Sequence, residues 1–258
     1  MPEIDTSRPH EARVYDYILG GKDNYAVDRA VGDQMIAAVP SMPAGARANR
    51  DFLRRAVRFV AERGVDQFLD IGTGLPTAEN THEVAETSNP AARTLYVDYD
   101  PLVHVHAQAL LVGENTSYVL GDLREPRPIL DAAARHLDLE RPVAVMLVAV
   151  LHHLLDADDP HRHVRAVLDA VPAGSYLILS HATWDFVTPE EVEQLESVTA
   201  ASGMQLRPRS RAEIEPFLDG LEVVEPGLVA VTAWRPEGGG PATTEGVGHY
   251  GVVARKPG

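Results

Sequence analysis

An α/β fold, with a mostly parallel sheet behind an all-helical opening segment, is what this sequence predicts. Two observations lead there. From residue 67 onward, short apolar runs alternate with amphipathic stretches, the pattern of strands joined by crossover helices. Several runs, such as Val143-Ala144-Val145-Met146-Leu147-Val148-Ala149, are apolar without interruption, which suits strands covered on both faces. Composition agrees, because 258 residues with 45% hydrophobic content bury a sizeable core.

The first quarter carries helical patterns and no strand candidate. Val14, Tyr17 and Ile18 mark a helix over Arg8–Leu19 that Gly20-Gly21 stops. A second is expected over Ala26–Ala38, ending before Pro40. A third is expected over Ala48–Glu62, with Phe52, Ala56, Phe59 and Val60 on one face and Gly64 closing it. Residues 1–65 thus read as a helical extension or lid packed on a second unit, 66–258. In that unit strands are expected at Gln67–Ile71, Thr94–Val97, Ser117–Leu120, Val143–Ala149 and Ser175–Ser180, with helices between them, notably Leu102–Leu111 and His163–Val171. Two more helices, at Pro189–Ala201 and Arg211–Leu218, precede two strand-like segments, Leu228–Trp234 and Tyr250–Ala254. The segments are joined by the Gly/Pro-rich Pro236-Glu237-Gly238-Gly239-Gly240-Pro241. With no helix between them they read as an antiparallel hairpin at a sheet edge.

Composition also excludes. Lys+Arg number 23 against 38 Asp+Glu, a formal charge of −15. Such a chain repels phosphate backbones, and no basic stripe with interleaved aromatics offsets this, so no nucleic-acid partner is expected. Cysteine is absent, which removes disulfide and thiolate chemistry. Met1-Pro2-Glu3-Ile4-Asp5 lacks a signal-peptide pattern, and no apolar run approaches the ~20 residues of a membrane span. The expectation is a cytoplasmic protein with no membrane partner.

The chemistry gathers at strand ends. Phe68-Leu69-Asp70-Ile71-Gly72-Thr73-Gly74-Leu75-Pro76 is an apolar strand, an acid and a glycine turn. It is only part of a dinucleotide fingerprint, because the third glycine is missing and Pro76 follows. A carboxylate aimed at a pyrophosphate repels it, whereas one beside a sulfonium and an ammonium is favourable. S-adenosylmethionine therefore fits this turn (Asp70, Gly72, Thr73, Gly74, Leu75) better than NAD. The second strand runs into Tyr96-Val97-Asp98-Tyr99-Asp100-Pro101, which places Asp98, with Tyr99 and Asp100 beside it, where an acid takes ribose hydroxyls. The third ends in Gly121-Asp122-Leu123-Arg124, where Asp122 can accept from an adenine amino group and the Leu123 amide can serve a ring nitrogen. Each acid alone also reads as a turn former or helix cap. Three successive strands ending in acids at one sheet edge favour the cofactor.

With these residues in view, the chain resembles a Rossmann-type (class I) S-adenosylmethionine-dependent methyltransferase over nearly its whole length. More narrowly it is similar to a bacterial S-adenosyl methyltransferase family. That family is marked by Arg13-Val14-Tyr15-Asp16-Tyr17-Ile18-Leu19-Gly20-Gly21-Lys22-Asp23-Asn24, with Phe68 through Thr77, Tyr96-Val97-Asp98, Gly121-Asp122-Leu123-Arg124 and Val150-Leu151-His152-His153 further on. The resemblance implies a Rossmann-like seven-stranded sheet whose strand 7 is antiparallel. It implies in-line methyl transfer from S-adenosylmethionine to a small-molecule acceptor, leaving S-adenosylhomocysteine, without supplying the acceptor. Ala149, where the fourth strand ends, would face the cofactor's methyl end. In some small-molecule O-methyltransferases a histidine in a similar Leu-His segment is the base. His152 aligns with it and His153 is an equal candidate, while both also read as helix-start histidines, one buried and one solvated.

The polar, aromatic set Tyr15, Asp16, Tyr17, Lys22 and Asn24 suggests a lid over the cofactor, with Tyr17 and Asn24 in contact with it; a packed helix is the competing reading. His181 and Asp185 follow the fifth strand as acceptor-site or capping residues. No metal is expected: His104 and His106 point apart on a helix, and His161-Arg162-His163 lies by an acidic, solvated turn. A homodimer is compatible with the sequence. Two other functions compete, a catalytically silent S-adenosylmethionine sensor or scaffold and an NAD-dependent oxidoreductase. The absent third glycine, Asp70 and the lack of a Tyr–Lys pair after the fourth strand count against the latter.

Overall fold

The computed structural model describes residues 5–76, 79–103, 105, 115–237 and 248–258. Three helices come first, α1 (Glu11–Leu19), α2 (Ala26–Ala38) and α3 (Met42–Ala61). Strands and helices then alternate through β1 (Gln67–Ile71), α4 (Thr81–Ser88), β2 (Arg93–Asp98), β3 (Thr116–Leu120), α5 (Pro126–His136), β4 (Ala144–Val148), α6 (Pro160–Asp169) and β5 (Tyr176–Ala182). The tail holds α7 (Pro189–Ser202), α8 (Arg211–Ile214), β6 (Glu222–Val223), β7 (Val229–Ala230) and β8 (His249–Arg255). Most of the helix expected at Leu102–Leu111, with His104 and His106, lies outside the described residues, as do Thr77 and Gly238–Pro241.

One sheet of eight strands runs in the order β3-β2-β1-β4-β5-β8-β6, with β7 also paired to β8. The first five are parallel in register, Ile71 opposite Val97 and Asp98 opposite Leu120, so their C-terminal ends share one edge. β8 runs antiparallel to β5, β6 and β7. The mostly parallel α/β sheet is thus as expected, but among the described residues it has eight strands rather than seven. The expected Leu228–Trp234 strand keeps only Val229–Ala230 before a 3-10 turn at Val231–Ala233, and the two-residue β6 has no apolar run to betray it. The two tail segments pair antiparallel as expected, Val229 opposite Gly251 and Ala230 opposite Tyr250. β8 lies inside the sheet with Val252, Val253 and Ala254 fully buried, and two short strands blunt the edge beyond it.

Alternate residues of each strand serve opposite faces. Leu69, Ile71, Val145, Leu147, Leu177 and Leu179 pack with α5 and α6; Phe68, Met146, Ile178 and Val253 pack with α3 and α4. α3 is therefore a layer of the central sandwich, carried there by Phe52, Ala56, Phe59 and Val60. It begins at Met42, earlier than its apolar stripe, because Pro43 starts a helix well. α1 and α2 form a separate cluster, Val14, Ile18, Val31 and Met35, closed by Leu195 of α7.

Candidate active site

The segment Arg13–Asn24 encodes a turn. Gly20 caps α1 in the left-handed conformation (φ 87°), and the next residue runs against Asp16. A Cβ on Gly21 would lie 2.0 Å from Asp16 Oδ1, so only glycine fits. Asp16 Oδ2 accepts from the Asp23 amide at 3.0 Å and from Asn24 Nδ2 at 2.8 Å. Beneath it the buried Arg13 meets the buried Asp28, Nε to Oδ1 3.3 Å. Tyr17 donates to Asp33 at 2.6 Å. Tyr17, Lys22 and Asn24 do not line the cleft described next; Tyr15 does.

The cleft follows the C-terminal edge of the sheet, open to solvent, with a cavity volume of about 120 Å³. Asp70, Gly72, Thr73, Gly74, Asp98, Tyr99, Gly121, Asp122, Leu123, Ala149, His152 and His153 all line it. Leu75 and Asp100 do not. Leu75 is buried, and Asp100 caps the helical turn at 101–103 by accepting from the Leu102 amide at 2.8 Å. Four carboxylates border the space (Glu11, Asp70, Asp98, Asp122) against two guanidinium groups (Arg50, Arg124). It is therefore a poor host for a pyrophosphate and a good one for a cation.

The glycine turn is pinned to β2. Gly72 and Thr73 donate to the Val97 carbonyl at 2.8 and 3.2 Å, and Gly74 donates to Asp98 Oδ2 at 2.8 Å. Gly72 has φ 76°, and a Cβ there would meet Val150 at 2.3 Å; a Cβ on Gly74 would meet nothing within 4 Å, leaving room above the turn. Asp98 Oδ1 accepts from the Asp100 amide at 2.9 Å. Burial pushes the Asp98 carboxyl up despite these two donors. Burial pushes Asp70 up to about 6, and Thr81, donating to Oδ2 at 2.7 Å, opposes it. Asp122 accepts from the Arg124 amide and guanidinium, both at 2.9 Å.

At β4 the chain turns sharply. Ala149 has φ 56°, a left-handed conformation that a non-glycine residue adopts at a cost. Its amide donates to the Ser180 carbonyl and hydroxyl, and Ser180 Oγ donates to Asn49 Oδ1 at 2.6 Å. Asn49 Nδ2 reaches the Tyr15 hydroxyl at 3.1 Å, and that hydroxyl donates to the Ala46 carbonyl at 3.2 Å. This buried chain ties the strand tip to the N-terminal helices. The 3-10 turn Leu151–His153 follows. Buried Arg209 braces it, donating to the Leu151 and Leu154 carbonyls (3.1 Å each), to Asp156 Oδ1 (2.7 Å) and to His181 Nε2 (3.1 Å). The Arg207 amide donates to the His152 carbonyl at 2.7 Å. Burial drives His152 well below the usual histidine range, lowers His153, and takes His181 down to about 3.

Beyond the histidines lies a second, larger space, also open to solvent, with a cavity volume of about 770 Å³. Its walls come from α1, α2, α3, the end of β5, α7 and the segment around Met204 and Leu206. Glu11, Tyr15, His152 and His153 line both spaces. His181 is fully buried and lines neither, and Asp185 instead accepts from the Arg211 amide and the Tyr250 hydroxyl. Sequence reasoning missed Glu11, Asn49, Arg50 and Arg209, which sit in helices and a loop with no motif around them. Among the described residues no group of three or more His, Cys, Asp or Glu is placed to hold a metal ion, and no helix is long and apolar enough to cross a membrane.

A family model described as S-adenosyl methyltransferase matches residues 1–257. The crystal structure of a DUF574 family protein from Streptomyces avermitilis is 46% identical, covering 99% of this chain and 100% of that one, with a TM-score of 0.94. The structure of a protein assigned as a methyltransferase from Thermobifida fusca is 40% identical, covering 98% and 97%, with a TM-score of 0.92. An S-adenosylmethionine-dependent methyltransferase from Anabaena variabilis shares the fold at 14% identity, covering 74% and 76%, with a TM-score of 0.53. No curated protein matches the sequence.

Proposed function

We propose that this chain, which belongs to the S-adenosyl methyltransferase family, binds S-adenosylmethionine in the sheet-edge cleft and methylates a small molecule held in the adjoining space. The observation that carries this is the acidic cleft, four carboxylates around a glycine turn, meeting a larger cavity at two histidines. When bound, the cofactor supplies a methyl group already activated on a sulfonium.

The chain's own residues fit that group. Asp98 keeps a free lone pair on each carboxylate oxygen after its two backbone donors, enough for two ribose hydroxyls. Leu123 covers the adenine side, where Asp122, already paired with Arg124, has acceptor capacity for an amino group. The open space above Gly74 admits the chain of the amino acid. Asp70 attracts its ammonium, and Arg50, facing the cleft from α3, takes its carboxylate. Ala149 and His152 then border the methyl end. The adjoining spaces bring acceptor and methyl donor together, the main demand of such a transfer.

Calorimetry tests this. S-adenosylmethionine and S-adenosylhomocysteine should bind, NAD should not, and Asp98→Asn should weaken both by at least about tenfold. Heat from NAD and none from S-adenosylmethionine would refute the reading. Tight binding with no S-adenosylhomocysteine release across hydroxyl, amine and carboxylate acceptors would instead identify a sensor.

A further inference from the structure

The two adjacent histidines carry their ring protons on opposite atoms. Nδ1 of His152 lies 3.2 Å from the Ala182 amide, which only donates; Nδ1 is therefore the acceptor and the proton sits on Nε2. Nδ1 of His153 lies 3.2 Å from the Gln205 carbonyl, which only accepts; Nδ1 carries the proton and Nε2 keeps its lone pair. Both residues line both spaces, with ring centroids 4.4 Å apart. Together they offer one N–H donor beside one bare ring nitrogen. That pair is the complement of a hydroxyl group, which has one proton to give and lone pairs to receive with.

The larger space sets the rest of the molecule. Its walls include Val14, Met35, Val39, Trp184, Phe186 and Leu195, and among the described residues neither Lys nor Arg lines it. Its carboxylates are Glu11, which accepts from Tyr99 at 2.8 Å, and Glu191, which is occupied in capping α7. An anionic acceptor finds no counter-ion here and meets two carboxylates.

We infer that the larger space takes a neutral, largely apolar acceptor, and that its hydroxyl donates to Nε2 of His153 while accepting from Nε2–H of His152. This rests on the methyltransferase reading above. In the transfer, the acceptor oxygen bonds to the methyl carbon of the cofactor's sulfonium. The carbon–sulfur bond breaks with its electron pair left on sulfur, and the hydroxyl proton passes to His153 Nε2. His153 is the proton acceptor of the pair and His152 orients the oxygen.

Equilibrium binding separates this inference from the cofactor question. Of the two tryptophans, Trp184 lines the larger space and Trp234 is fully buried elsewhere, so quenching of Trp184 reports occupancy. The quench should vanish in Trp184→Phe. Added without cofactor, 2-naphthol should quench; 2-naphthoate should bind at least tenfold more weakly. The ether 2-methoxynaphthalene keeps the oxygen acceptor and lacks the proton, so it should bind about tenfold more weakly than 2-naphthol, the worth of one hydrogen bond. His153→Phe, or His153→Leu should the first not fold, should erase the preference of hydroxyl over ether. His152→Phe should weaken both ligands alike and keep it. The inference is overturned if 2-naphthol does not quench, if 2-naphthoate binds as tightly, or if the preference survives without His153. Calorimetry with S-adenosylmethionine stands apart from all of these, so a failed acceptor class and a failed cofactor assignment give different results.

Discussion

The Thr81 hydroxyl donates to Asp70 Oδ2 at 2.7 Å in a fully buried contact, and it opposes the burial that lifts this carboxyl to about 6. Asp70 is then largely protonated below pH 6, and a cationic ligand favours its carboxylate. Cofactor binding should therefore release a proton, and affinity should rise with pH up to about 6 and level off above it. Thr81→Val removes the opposing bond and should move this midpoint up by about one pH unit, since a bond to a charged group contributes about 1.5–3 kcal/mol. Calorimetric titration of S-adenosylmethionine between pH 5 and 8 measures both; an affinity flat across that range would refute the role of Asp70.

Buried histidines should make the fold acid-labile. His181, fully buried, is held down to about 3, below the unfolded value of 6.5. The unfolded chain then binds a proton that the folded chain refuses. The resulting stability is complete above pH 6.5 and is lost as pH falls from there to about 3, amounting to ~2 kcal/mol at pH 5. His152 and His153 shift the same way and add to the loss, while Asp70, shifted up, returns some of it between pH 6 and 4. Urea midpoints at pH 7.5 and pH 5 provide the check, with the lower value expected at pH 5.

Arg209 positions the histidine turn from within the core, at 2% exposure. Arg209→Met strands the Leu151 and Leu154 carbonyls and should cost about 3–5 kcal/mol, a fall of some 6–20 °C in melting temperature. Arg209→Lys keeps the charge but lacks the fork that reaches several acceptors, and should recover less than half of the loss. A melting temperature unchanged in Arg209→Met would show that the turn holds itself.

Gly21 and Asp16 should behave as one unit. Gly21→Ala drives a methyl into the Asp16 carboxylate and should cost at least about 2 kcal/mol, because the turn must open or the carboxylate must leave Asn24. Asp16→Ala clears the space for that methyl, so the double variant should lose clearly less than the two single losses added together. Denaturant titration of the four proteins closes the cycle, and strict additivity would contradict the steric account.

Much of the sheet was legible because strands buried on both faces must be apolar throughout; β1 and α2 match their expected limits residue for residue. The strand-end residues were legible too, since a glycine turn and an acid are local patterns and parallel register carries them to one edge. The short β6 escaped because a two-residue strand has no periodicity, and β7 was expected only as part of the longer Leu228–Trp234 segment. α4 and α5 were expected as helices between strands, without limits of their own. Arg209 escaped for another reason: it sits in an irregular stretch, and its partners, Leu151, Leu154 and His181, are far from it in sequence. The Tyr17–Asn24 segment looked like a binding strip because polar and aromatic residues crowd there, yet much of that polarity is consumed in holding its own turn around Asp16.

Glu11, Tyr15, His152 and His153 belong to the walls of both spaces, so an occupant of either one becomes part of the other's surroundings. Linkage makes the effect mutual: whatever factor the cofactor adds to the acceptor's affinity, the acceptor returns to the cofactor unchanged. On the proposed reading, neither ligand should then have a single dissociation constant. Each should have two, one for the empty partner space and one for the filled, and their ratio measures how much of the wall the two ligands share.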